Sequence, residues 1–234
     1  MAIDVRRAKE RFHTEIDWLD SWHSFSFGNH YEPDNTHHGL LLVSNDDVIR
    51  AGRGFGTHSH RDMEIVTWVL AGELEHRDST GTVGIIYPGL AQRMSAGSGI
   101  QHSETNASAT ADVHLVQMWV LPDTEGIEPG YEQHDVSEAL SGGGLVTVAS
   151  GDPAKGGVKI HQRDAELLAG RLSPGVEVVV PAGPHVHVFV AVGTADLDGA
   201  GALDTGDAVR LTDEGPRTLT AGPDGCEALV WATA

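Results

Sequence analysis

Four side chains in the first half of the chain have the types and spacing of a transition-metal site: His58 and His60, then His102 and Glu104. An extended strand sends alternate side chains to opposite faces, so each pair, two residues apart, projects to one side. Two such pairs on facing strands of a barrel converge on a point inside it. Three imidazoles and one carboxylate leave open positions on a six-coordinate ion, and such ligands suit Fe(II), Mn(II), Co(II), Ni(II), Cu(II) or Zn(II). No thiolate accompanies them, which speaks against a closed structural zinc site. An isolated His-x-His carries little weight. Here it is followed by Glu64 and Gly72, then by a glycine-rich turn leading to His-x-Glu, and the ordered set carries the argument. The spacing alone leaves Glu64 open as the carboxylate ligand in place of Glu104.

The elements that must position these residues read as short strands. Twenty-nine glycines and ten prolines are spread along the chain and punctuate runs rich in Val, Ile, Leu and Thr. That pattern predicts an all-β sandwich or barrel. Strands are expected over Gly39–Val43, Glu64–Leu70, Thr82–Ile86, Val113–Leu121, Leu145–Ala149, Val176–Val180, Val186–Val192 and Ala228–Trp231. Short helical turns are expected at Arg6–Arg11 and Asp164–Leu168. The stretch Gly126–Gly144 reads as a boundary crossed by few contacts. It divides the chain into residues 1–135, carrying the metal site, and residues 136–234, without one.

The halves repeat one another: Val69–Leu74 leads to Tyr87–Leu90 as Val190–Leu197 leads to Asp204–Asp207. Two such units predict a duplicated β-barrel. Matching their glycines sets Val179 and Pro181 opposite His58 and His60, and Leu219 and Ala221 opposite His102 and Glu104. None of the four can ligate a metal by its side chain, so His185 and His187 read as strand-face residues. His23, His76 and His114 are candidates for lining a cavity, while His37, His38, His134 and His161 fall in loops or near the boundary. Trp22, Phe25 and Phe27 are read as core, with an aromatic wall for a flat substrate as the alternative.

The 234-residue chain has a formal net charge of −19, which disfavours nucleic acid and anionic membrane surfaces as partners. The basic run Arg6, Arg7, Lys9 and Arg11 is expected to be a solvated face. The N-terminus lacks the apolar segment of a secretory signal, and no apolar run nears the ~20 residues of a membrane span. The single cysteine, Cys226, fits a reducing compartment, so a cytoplasmic protein is expected. Because one chain holds both units, a monomer is expected.

The segment Gly54–Glu64 resembles the first cupin motif, and Met94–Asn106 resembles the second, with His102 and Asn106 at the motif's histidine and asparagine. Trp18–Phe27, Asn45-Asp46-Asp47, Gly54–Glu64 and Met94–Glu104 together resemble the pirin family, on the side of the bacterial pirin-like quercetin 2,3-dioxygenases. The resemblance implies two cupin barrels and one divalent metal ion per chain, with Fe(II) favoured. It implies Glu104, not Glu64, as the carboxylate ligand beside His58, His60 and His102. It implies oxidative opening of a flavonol by O2 with release of CO, with Glu104 also a candidate for taking the hydroxyl proton. Pirins also act as metal-dependent partners of other proteins, so a non-catalytic regulator is the alternative. Turnover of another small enol is a third reading.

Overall fold

A computed structural model describes residues 1–234. In chain order the strands are β1 (Ala2–Arg6), β2 (Phe12–Ile16), β3 (Leu19–His23), β4 (Leu41–Ile49) and β5 (Gly54–His60). They continue as β6 (Glu64–Ala71), β7 (Leu74–Asp78), β8 (Val83–Ile86), β9 (Leu90–Ser95), β10 (Ile100–Asn106), β11 (Val113–Val120) and β12 (Gly130–Asp135). One helical turn, α1 (Ser137–Leu140), precedes β13 (Val146–Ser150), β14 (Val158–Lys159), β15 (Ala165–Leu172) and β16 (Glu177–Val180). The last four are β17 (Gly183–Leu197), β18 (Gly201–Asp204), β19 (Ala208–Glu214) and β20 (Arg217–Thr233).

Two sheets make the first barrel: β12-β9-β6-β11-β4-β3-β2, and β5-β10-β7-β8. The second barrel is one continuous sheet, β1-β19-β17-β20-β15-β13-β14, with β16 on β20 and β18 on β17. Its closure relies on β17 and β20, of 15 and 17 residues, which bend through register shifts and so serve both layers.

Period-two alternation explains which faces are buried. β10 is inward at Ile100, His102, Glu104 and Asn106 and more open at the residues between. β6 is buried on both faces from Glu64 to Val69, as befits a strand covered on each side. Val66 and Trp68 join a 22-residue apolar cluster shared with Val148, Leu167, Leu229 and Trp231 of the second barrel. Ile65 and Val69 point instead into the first barrel, each in a cluster of its own residues. The largest apolar cluster therefore bridges the two barrels, where few crossing contacts were expected. The backs of two sheets, apolar on both sides, remove more surface from water together than apart.

Other local expectations change. Asp164–Leu168 is not helical: Ala165–Leu172 pairs along its length with β20, and alternate burial of Ala165, Leu167 and Ala169 gives the strand its core face. The basic N-terminal run is not simply solvated. β1 adds to β19 of the second barrel, Arg7 donates to Asp207 at 2.6 Å, and the nearly buried Arg11 lies 3.2 Å from Asp46. No helix is long and apolar enough to cross a membrane.

Candidate metal centre

β5 and β10 are antiparallel neighbours, with His102 directly opposite His58. The two ligand pairs thus meet side by side in one sheet, not from facing strands as the spacing suggested. A register shift between His102 and Glu104 places Glu104 opposite Phe55 and turns its carboxylate inward. Gly54 permits this close approach, because a Cβ there would run into the Glu104 carbonyl and the Thr105 backbone.

The imidazole rings of His58, His60 and His102 lie 4.4–5.0 Å apart, and their ligand atoms fall within 4.8 Å of one another. A second triad within the same limit contains His76, His102 and Glu104, so the two groups share His102. His58 Nδ1 donates to the Gly56 carbonyl at 2.8 Å, which leaves Nε2 bare. His76 Nε2–H donates to Asp78 Oδ2 at 3.1 Å, so His76 Nδ1 accepts from His102 Nδ1–H at 3.4 Å, again leaving Nε2 bare. Trp119 Nε1 donates to Gln117 Oε1 at 3.1 Å and so turns the amide nitrogen of Gln117 onto Glu104 Oε2 at 2.7 Å.

These contacts leave His60 Nε2, His102 Nε2 and Glu104 Oε1 buried without any partner. Buried polar atoms are normally hydrogen-bonded, and orphans of this kind point to an ion or water between them. Bare imidazole nitrogens with a carboxylate oxygen fit a divalent transition-metal ion. Burial, with the neighbouring imidazoles adding to it, pushes His60 down to about 4 and His102 down to about 2, so both rings are neutral as ligation requires. Burial pushes the Glu104 carboxyl upward.

Glu64, the other candidate carboxylate, shares the strand face of Val66 and Trp68 and so points toward the second barrel. Its Oε2 accepts from Ser95 Oγ at 2.9 Å and from the His161 backbone N–H at 3.0 Å. That face could be read from Trp68 and Val66 by parity along β6.

His58, His60 and Glu104 border a cavity of about 720 Å³, within the ~300–1,000 Å³ usual for small-molecule sites. Trp18, Phe27, Phe55 and Trp119 supply its aromatic wall. Of the three aromatics weighed from sequence, Phe27 alone lines it. Trp22 stacks on His13, and Phe25 sits in the inter-barrel core beneath Arg210 and beside His187. His23 lines the cavity and His76 stands behind His102, while His114 bonds Asp46. Ser21, Asn45, Asp47 and Gln117 also line it, unforeseen; the available signal was the polar side chains at alternate positions of β3 and β4.

The second barrel has no comparable group of His, Cys, Asp or Glu. Leu219, buried among fifteen apolar residues, fills its interior. Leu219, matched to His102 across the repeat, pairs with Val178, whereas Val179, matched to His58, is exposed on the other face. His185 stacks edge-on against His38 and His187 packs on Phe25.

Residues 4–120 match the pirin family, and residues 147–231 match the quercetinase C-terminal cupin domain. The chain belongs to the pirin family. Among pirin relatives, a quercetin 2,3-dioxygenase of Escherichia coli is 44% identical over 224 residues, 95% of each chain. A Mycobacterium tuberculosis protein provisionally named for the same activity is 55% identical over 230 residues, 98% of this chain and 94% of its own. The bacterial pirin YhhW of Escherichia coli, solved in complex with nickel(II), superposes with a TM-score of 0.90 at 40% identity over 98% of each chain. The all-β bicupin architecture expected of a pirin is the one observed.

Proposed function

We propose that this pirin is a metal-dependent dioxygenase that opens a flavonol such as quercetin with O2 and releases CO. His58, His60, His102 and Glu104 hold one divalent ion per chain, Fe(II) by preference, with Ni, Co, Mn, Cu or Zn able to occupy the same donors. The observation that carries the reading is the set of unpartnered His60 Nε2, His102 Nε2 and Glu104 Oε1 at the edge of an aromatic-walled cavity. The ion, when bound, supplies Lewis acidity toward the substrate oxygens and a site for dioxygen chemistry.

The protein's own residues orient the reaction. Trp18, Phe27, Phe55 and Trp119 line the cavity and supply apolar surface for a flat aromatic substrate. Gln117 holds the Glu104 carboxylate through Oε2, which fixes the direction of Oε1. The names of the Escherichia coli and Mycobacterium relatives support the substrate class. A cavity of small-molecule size beside the candidate ligands favours a small molecule over the regulator reading, in which the ion would act at the surface.

The test is metal content of the purified protein beside a His58→Ala/His60→Ala variant, followed by oxygen uptake with quercetin on both. Near-stoichiometric metal that the variant loses, with uptake lost in parallel, is expected. Full metal without uptake or CO in the parent protein refutes the dioxygenase.

A further inference from the structure

The sheet β2-β3-β4 carries buried polar groups into the cavity that the metal centre does not use. β3 and β4 pair with Ser21 opposite Asp47 and His23 opposite Asn45, and all four border the cavity. Asp47 is 3% exposed and accepts one hydrogen bond, from the Ser21 hydroxyl to Oδ1. Its Oδ2 has no protein donor and is not among the buried atoms left without partners, so it opens onto the cavity.

From Ser21 the bonding continues outward. His23 Nδ1–H donates to Asn45 Oδ1 at 2.9 Å and lies 3.4 Å from Ser21 Oγ. That fixes His23 Nε2 as an acceptor, and it takes the Thr14 hydroxyl at 3.0 Å. Thr14 Oγ1 in turn accepts from His30 Nε2 at 3.0 Å. His30 stands at the rim beside the exposed Gly28 and Asn29. A continuous row of exchangeable protons thus joins a cavity carboxylate to solvent.

We propose that Asp47 Oδ2 takes the proton from the substrate's hydroxyl, and that Ser21, His23, Thr14 and His30 return it to solvent once each hydroxyl turns outward and the His23 ring carries its proton on Nε2 instead of Nδ1. This rests on the flavonol-opening reading above. Glu104 is poorly placed for the task, with Oε2 held by Gln117 and Oε1 turned toward the imidazoles. The substrate's O–H bond breaks, its electron pair stays on the flavonol oxygen, and a new O–H bond forms on Asp47. Flavonol and O2 then give a depside carboxylic acid and CO. The acid ionises at neutral pH, so each turnover leaves one proton to be exported. Burial pushes the Asp47 carboxyl up to about 7; Asp46 and Glu104 push the same way, while the Ser21 bond and His114 oppose them. A carboxyl titrating near neutrality can both accept and return a proton.

The metal-loaded protein is mixed with quercetin, first without oxygen to record the absorption spectrum and then with oxygen to measure uptake. Wild type is expected to show the long-wavelength band of the flavonol anion at pH 7. Asp47→Asn is expected to keep its metal, hold the flavonol in its neutral form and lose ~100-fold or more in kcat, as for loss of a general base. Thr14→Val, which removes the hydroxyl and keeps the shape, is expected to lower kcat several-fold with KM unchanged, and Thr14→Ser to restore it. Wild-type spectrum and rate in Asp47→Asn overturn the role of Asp47, and equal rates for Thr14→Val and Thr14→Ser overturn the relay. If Asp47→Asn does not fold, the Thr14 pair decides alone, equal rates overturning the proposal. A wild-type protein that neither binds nor oxidises quercetin removes the flavonol reading itself, a result distinct from an active wild type beside an equally active Asp47→Asn.

Discussion

Replacing each candidate carboxylate separately distinguishes ligand from strut. Glu64 is 1% exposed, and Glu64→Ala strips the acceptor from the Ser95 hydroxyl and the His161 backbone N–H. A buried donor left unsatisfied costs about 1–3 kcal/mol. Ser95 has a fallback in His161 Nδ1, 3.1 Å away, and the variant also removes Glu64 Oε1, which is buried without a partner. The net loss is therefore about 2–4 kcal/mol. Unfolding entropy of about 2.1 cal/mol/K per residue gives about 0.5 kcal/mol per degree for a chain of this length. Glu64→Ala is then expected to lower Tm by about 4–8 °C while metal stays near one per chain. Glu104→Ala is expected to do the reverse: metal is lost, and the Tm of the metal-free protein changes little. Paired metal analysis and calorimetry on both variants are the assay. A folded Glu64→Ala protein without metal, or Glu104→Ala with metal bound as tightly as wild type, refutes the parity argument along β6.

Gln117→Leu frees Glu104 Oε2 and is expected to weaken metal binding ~10–100-fold in a chelator competition, as for other partners of metal ligands; unchanged affinity rules out the orienting role. The metal-free protein is expected to lose stability on acidification from pH 7.5 to pH 5. His60 and His38 are pushed down to about 4 and His102 to about 2, with His23 and His187 also lowered, so below about 6.5 the unfolded chain binds more protons than the native one. Asp47 and Glu104, raised by burial, work in the opposite direction but are fewer. A Tm that holds or rises at pH 5 refutes the neutral-histidine assignment.

The placing of the candidate ligands on common faces was legible because His-x-His and His-x-Glu each sit on one strand, where period two is the whole rule. What the pattern could not supply was which strands become neighbours. His58 and His102 meet through the β5–β10 ladder, a register shift beyond that pair places Glu104, and a shift of one residue leaves no trace in hydrophobicity. The same limit appears at Val178 and Val179, where a slip of one residue exchanges the two faces. The segment at Asp164 looked helical because Ala, Glu and Leu favour helices locally, and pairing with β20 overrode that preference. The cavity was least legible. Ser21, Asn45 and Asp47 are polar residues at core positions, and only the facing sheet reveals that the space beside them is unfilled.

The two barrels resolve one conflict in different ways. The first buries Ser21, His23, Asn45, Asp47, His76, His102 and Glu104, a set that brings polar atoms into the interior and leaves two of them, His102 Nε2 and Glu104 Oε1, unpartnered. Such a site opposes folding, since buried polar groups cost free energy unless satisfied. The second barrel places fifteen buried apolar residues in its corresponding space and lacks a cluster of metal-binding groups. Its outer face shares the 22-residue core with the back of β6 and β11, the strands that carry Thr67, Gln117 and Trp119 toward the cavity on their other side. Every second residue of β6 and β11 therefore anchors to the packed barrel while its neighbours face the polar one. Rigidity at Gln117 and Trp119, which orient Glu104, is thus supplied from across the sheet by Val116 and Met118, and the second barrel supports the candidate metal centre without placing a side chain in it.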